Sequence, residues 1–388
     1  MNKRHTAAVL LTAALVLTGC TSGGSDGEPP EQRTKSAGSA SPGSAAGPPT
    51  AAQACAVGLP RAWQQALADG EIEPPDDGTG QTLAEVGPGA AWTVLQSTGD
   101  SKRELVLAEG EGDGGRTVVR VLDDPAQHQV DTADFDGRWL AYDLVKGTQL
   151  QSPWELWAWD RETGTERLVA QAATGADGQA VPGPLISPVI RAGRVFWAQG
   201  TGGGKAAVYA RDVAEEKPRR LYAGVVDTPF AAGGLLVWPQ GDAQGRQVRL
   251  AAVAMDTLKP AELPGPVAAL RDIRSAASDG RTWAWIAGEQ PRLYVWQEGW
   301  PEPLALVRDA GAVNADQVRV GGDLVTWRTT EAAYALDLRS RTYTRLTPQY
   351  GYATARDGAL GVSYADKGTA PVIQVVPAED LPPLPRGC

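Results

Sequence analysis

The sequence has 388 residues, with 36 Lys and Arg against 46 Asp and Glu and a formal net charge of -10 at pH 7. That acidic balance argues against a basic surface for nucleic acid or anionic lipid. With two histidines and three cysteines in the whole chain, His-dependent triads and multi-histidine zinc sites have almost nothing to be built from.

Lys3 and Arg4 give a basic start, Ala7 to Leu17 form an apolar run, and Leu17-Thr18-Gly19-Cys20 closes it. This is the order of an export signal, and the run is barely half of the about 20 apolar residues that a spanning helix needs. The four-residue ending resembles the lipobox of bacterial lipoproteins. That resemblance implies a diacylglyceryl group on the Cys20 thiol, cleavage before Cys20, and a chain held to the extracytoplasmic face of the cell membrane. Removing residues 1–19 takes Lys3 and Arg4 with it and moves the formal charge to -12. Residues 21–54 are Gly, Ser, Pro, Ala and Thr with scattered charges and no Ile, Leu, Phe or Trp, too little apolar surface to offset ordering entropy. They read as a lipidated tether over 20–54.

Cys55 opens the globular part and Cys388 ends the chain. Outside the membrane two such thiols usually pair. A bridge between them closes a loop worth about 5 kcal/mol on the chain-entropy estimate. The stretch 55–87 predicts one short helix: Pro60 suits its first turn, Gly70 its C-terminal end, and Leu59, Trp63 and Leu67 share a face. Thr82 to Val86 then predict a strand.

From Gly89 onward one pattern recurs: a Gly or Asp-Gly turn, a short apolar strand ending in Trp or Tyr, a polar loop, and a second apolar strand. The openings stand at Gly89, Gly137, Gly193, Gly234, Gly280, Gly322 and Gly358, spaced 36 to 56 residues apart. Segments such as Trp154-Glu-Leu-Trp-Ala-Trp-Asp160 and Ala333-Tyr-Ala-Leu-Asp337 supply the middle strands. A ring of sheets leaves fewer exposed edges than an open stack, and the spacing suits one blade per repeat. The expectation is an all-β chain: a β-propeller over 88–388, seven-bladed with six as the other count, preceded by one helix.

The openings Asp136-Gly137, Asp279-Gly280 and Asp357-Gly358 resemble those of TolB-like and WD40-like propellers, over residues 89–388. TolB carries an α/β domain before its propeller that has no counterpart here, so the resemblance implies fold and not a Tol-Pal role. An actinobacterial lipoprotein family that joins a lipobox to a propeller and is associated with an envelope sensor kinase is also similar in plan. With 28 Arg against 8 Lys, the codon bias of a high-GC bacterium such as an actinomycete fits the same picture.

The 13 tryptophans are expected chiefly as packing between blades. Trp300, in the loop Glu298-Gly-Trp-Pro-Glu302, is the surface-contact candidate. Gly280-Arg-Thr-Trp283 matches half of an Asp-box, and Gly202-Gly-Gly-Lys205 lacks the spacing of a phosphate loop. The reading is therefore a chain that is not an enzyme and holds no cofactor and no metal. Its function is expected to be binding, as a scaffold for an envelope protein partner. A small-ligand sensor or sensor-kinase accessory, and a propeller glycosidase or lyase, are the alternatives. Loops 131–134, 187–191, 227–230, 271–275, 314–319 and 354–356 are expected at the channel mouth, with Asp131, Asp227, Arg274 and Asp316 as ligand-binding candidates.

Overall fold

The computed structural model describes residues 53–73, 80–98, 102–109, 115–149, 152–242, 244, 247–288, 292–306, 316–365 and 371–386. The predicted signal, Cys20 and Cys388 lie outside the described residues. The chain is a β-propeller, built almost wholly of antiparallel strands.

Strand β1 (Gln53–Ala56) and helix α1 (Arg61–Asp69) come first. One sheet is made by β2 (Gln81–Val86), β3 (Trp92–Thr98), β4 (Lys102–Ala108) and β5 (Thr117–Val121). The next contains β6 (His128–Gln129), β7 (Ala133–Phe135), β8 (Trp139–Lys146), β9 (Trp154–Asp160) and β10 (Thr165–Gln171). Strands β11 (Val189–Arg191), β12 (Arg194–Gly202), β13 (Lys205–Asp212) and β14 (Arg219–Gly224) make a third. A three-stranded sheet of β15 (Phe230–Ala232), β16 (Leu235–Gly241) and β17 (Gln247–Ala254) follows. After the single turn of α2 (Gly265–Ala268) come β18 (Ile273–Ser278), β19 (Thr282–Ala287), β20 (Arg292–Gln297) and β21 (Leu304–Leu306). Strands β22 (Asp316–Gly321), β23 (Leu324–Arg328), β24 (Ala333–Asp337) and β25 (Thr342–Arg345) succeed them, and β26 (Gly351–Arg356), β27 (Ala359–Ala365) and β28 (Pro371–Pro377) form the last sheet.

Two expectations need correction. Separate sheets for seven blades are not what the hydrogen bonds draw: five sheets of three to five strands accompany one nine-stranded sheet. The cause is β1, which lies parallel to both β21 and β25 and joins their sheets, Ala54 opposite Leu306 and Cys55 opposite Thr342. There are also two helices rather than one, because Pro264-Gly-Pro266 starts a turn in which Val267 and Ala268 donate back to the Pro264 carbonyl. Strand β1 overlaps Gln53 and Ala54, the last two residues of the stretch 20–54.

The repeat works through local chemistry. Asp136 Oδ1 accepts the N–H groups of Arg138 and Trp139, and Asp279 Oδ1 those of Arg281 and Thr282, so these two Asp-Gly openings are Asx turns that aim the next strand. Arg138 at the head of β8 grips Asp160 at the end of β9, and Arg194 grips Asp212 likewise, each through two guanidinium nitrogens. Tryptophans stack on the tyrosines directly opposite them: Trp197 on Tyr209, Trp285 on Tyr294 and Trp327 on Tyr334, with centroids 5.4 to 5.8 Å apart. These pairs pack between sheets, as the composition suggested.

The ring is closed by the N-terminal segment. Ile72 N donates to Ile373 O and Val375 N to Gly70 O, which lays residues 70–72 against β28. Trp63, fully buried, donates its indole N–H to Pro382 O at 2.7 Å, while α1 packs on Leu324, Leu360, Val376 and Leu384. Gly70 is required here by contact: a Cβ at that position would lie 2.4 Å from Val375 O. Gly70→Val is therefore expected to lower unfolding free energy by about 1 to 3 kcal/mol, read as a lower midpoint in urea denaturation.

Candidate functional site

First strands of successive sheets line a cavity of about 420 Å³ along the ring axis. It is strongly polar. Glu85 from β2, Asp134 from β7, Arg191 from β11, Arg274 from β18, Arg319 from β22 and Arg356 from β26 all face it, with the loops at Ser187 and Asp227 at one end.

Asp134 is the hub. Its carboxylate is 2% exposed and accepts the Ile190 N–H at 2.8 Å and Arg191 Nη1 at 3.1 Å, and it forms an ion pair with Arg356. One carboxylate thus ties three sheets together. Burial opposes the charge on Arg356, but Asp134, Glu85 and Asp357 more than offset it and hold its pKa above the ordinary arginine value. Glu85 is fixed in turn by Thr354 Oγ1 at 2.7 Å. Arg319 differs. Its Nη1 donates to Val318 O at 3.1 Å, and among the described residues no carboxylate lies within ion-pair distance of it. The cavity lining thus includes a half-buried arginine with no carboxylate partner among the described residues.

Of the residues singled out from sequence, Asp227 and Arg274 line this cavity. Asp227 Oδ1 accepts the Thr228 N–H at 2.7 Å, and both side chains have partners. Asp131 is exposed and does not line it. Asp316 starts β22, but its side chain lies outside the described residues. Trp300 sits elsewhere, half-buried beside a second cavity, with Arg341 over its ring at 4.6 Å and its carbonyl accepting from Trp296 Nε1. Asp134, Arg191, Arg319 and Arg356 were missed as site residues because their segments read as mouth loops. Most of those segments are strands, and a charge inside an apolar first strand was the usable signal.

Asp131 and its neighbour hold a separate device. The Asp143 carboxylate, fully sheltered in β8, accepts the N–H groups of Asp131 and Thr132 at 3.0 and 2.8 Å. Burial pushes its pKa up to about 8, with the backbone donors opposing and Asp131 assisting.

No family model and no curated protein matches the sequence. Among solved structures, the chain is similar to an oligogalacturonate lyase from Vibrio parahaemolyticus, with 10% identity, TM-score 0.52 and coverage of 79% of this chain and 92% of that one. It is similar to the β-propeller domain of the Trilobed protease from Pyrococcus furiosus, an open-velcro propeller, with 10% identity, TM-score 0.51 and coverage of 77% and 93%. An acylaminoacyl peptidase, at 12% identity and TM-score 0.50, matches over 76% of this chain and 51% of its own. The shared feature is the propeller. These neighbours overturn the expectation that the chain is not an enzyme: an oligogalacturonate lyase and peptidases are among the proteins that share its propeller fold.

Because the folded state binds the Asp143 proton more tightly than the unfolded chain does, its contribution to stability is full below pH about 4 and is lost as pH rises toward 8. Asp143→Asn keeps an acceptor for both N–H groups and carries no charge. The variant is expected to melt above the wild type at pH 9 and close to it at pH 5, as thermal unfolding followed by circular dichroism would show.

Proposed function

We propose that this protein is a lipid-anchored, extracytoplasmic propeller that binds a small carboxylate-bearing saccharide in its axial channel. The observation that carries the ligand class is Arg319, a half-buried guanidinium with no carboxylate partner among the described residues, in a cavity shared with three further arginines. Arginine forks match carboxylates bidentately. The carboxylates and hydroxyls around them, Asp227, Ser187 and Ser275 among them, suit sugar hydroxyls. A concave polar cavity fits such a ligand better than the docking of an envelope protein, whose interface centres are apolar.

The anchor rests on the lipobox-like Leu17-Thr18-Gly19-Cys20 and the polar stretch after it. The same compartment favours a Cys55–Cys388 disulfide. Supporting it, Cys55 lies opposite Thr342 in β25, and Asp337, paired with that same Thr342, accepts the N–H of Leu384 at 2.8 Å. Cys55 and Leu384 thus meet the same sheet. Counting β18–β21 and β22–β25 as separate four-stranded meanders bridged by β1 makes the ring seven-bladed, and the Asp-Gly openings suit a TolB-like or WD40-like repeat from a high-GC actinobacterium.

A second reading is cleavage of the bound saccharide by β-elimination. It is favoured by guanidinium and carboxylate groups sharing one channel and by the likeness to an oligogalacturonate lyase. In such a step an arginine neutralises the ligand carboxylate and a side-chain carboxylate takes the proton beside it. The neighbouring C–O bond breaks as a C=C bond forms, and the departing oxygen takes up a proton.

Calorimetric titration with galacturonate oligomers tests the ligand class. Binding that weakens about tenfold or more in Arg319→Ala is expected, about 1.4 kcal/mol; equal affinity for neutral glucose oligomers would sink it. Growth of the unsaturated product's ultraviolet absorbance separates lyase from binder. For the anchor, Cys20→Ser is expected to move the protein from the membrane pellet to the soluble fraction, and an unchanged pellet would refute lipidation at Cys20.

A further inference from the structure

Of the aromatic side chains among the described residues, only Tyr350 and Tyr352 stand exposed, at 47% and 45%. They are not independent of each other. Their ring centroids are 5.6 Å apart at 74°, and their hydroxyls approach to 3.3 Å. The Arg328 guanidinium lies 4.4 Å from the Tyr352 centroid and 5.2 Å from that of Tyr350, and Nη1 donates to the Tyr350 hydroxyl at 2.7 Å. Two exposed rings are thus held in a set orientation by a cation, an arrangement that limits the ordering cost of any contact they make.

Their position gives the cluster its meaning. Tyr350 stands before β26 as Ser187 stands before β11 and Asp227 before β15, so the rings occupy the end of the propeller where those channel-lining loops lie. Along β26, Tyr352, Thr354 and Arg356 alternate with buried Ala353 and Ala355, and so share one face of the strand. Thr354 holds Glu85, and Arg356 faces the channel. Five residues of strand, spanning about 13 Å, therefore carry one polar face from the Tyr352 ring to the channel charge.

We propose that Tyr350, Tyr352 and Arg328 form an outer saccharide subsite continuous with the channel, so that the ligand is an oligosaccharide longer than the channel itself holds. This rests on the channel being a site for acidic saccharides. The weakly positive C–H face of a sugar ring packs on the electron-rich face of a tyrosine, and Arg328 meets a carboxylate or hydroxyl of the same unit. A lone apolar patch would fit many partners, but two exposed rings set edge to face and bridged by a cation fit a chain that is apolar on one face and anionic at its edge.

The test titrates the full-length chain in detergent with galacturonate monomer through hexamer. Wild type is expected to gain affinity with length, by about tenfold once the outer subsite is filled. Tyr350→Ala/Tyr352→Ala is expected to bind the monomer as wild type does and to lose that gain. Tyr350→Phe/Tyr352→Phe keeps the rings and most of it. Arg319→Ala weakens every length alike. A length dependence that survives in the double alanine variant overturns the outer subsite and leaves the channel reading standing. No binding of any oligomer by wild type overturns both, and capture of a protein at the rings in place of saccharide, with no length dependence, overturns the subsite in favour of a protein interface.

Discussion

A ring of sheets has one constraint that an open stack lacks: its last sheet must meet its first, and something must hold the seam. Here the seam is held from the N-terminal side, where residues 70–72 pair with β28, Trp63 reaches Pro382, and β1 lies across two neighbouring sheets. Those contacts join residues far apart in sequence, so their loop-closure entropy is met only when the rest of the ring has formed. Everything along the axis inherits that order. Asp134 and Arg356 come from sheets on either side of the β2–β5 sheet, and their ion pair exists only in the closed ring.

Burying such a pair is costly unless each charge is well satisfied, and the satisfaction is specific. Asp134 receives a backbone N–H and two guanidinium groups, so all its stabilising partners lie on other sheets. Its role in holding the first strands at a set spacing follows from that distribution, and so does the shape of the cavity those strands leave between them.

Much of the architecture was legible because it is local. An Asp-Gly turn, an apolar strand and an aromatic each act over a handful of residues, and Asp136 and Asp279 do in the fold what their sequence neighbours implied. What was not legible depends on register between distant segments. Gln-Ala-Cys-Ala in β1 contains no β-branched or aromatic residue and sits at the end of an Ala-rich stretch, so nothing local marks it as a strand, yet it merges two sheets. The site was half legible for the same reason. Asp227 and Arg274 were read as loop charges, and the cavity contains them. Arg191, Arg319 and Arg356 sit inside short first strands, where alternation alone does not tell solvent from an axial channel.

The placement of β1 also has a mechanical side. It runs parallel to both of its neighbours, with Gln53 at its leading end. A pull applied through the chain before Gln53 acts along the strand, so it loads two ladders in shear at once and cannot peel one edge bond by bond. Resistance to detachment under force is a matter of unfolding rate rather than equilibrium stability. A four-residue strand with little intrinsic preference for its conformation thereby becomes the place where tension on the N-terminal chain is shared between two sheets of the propeller.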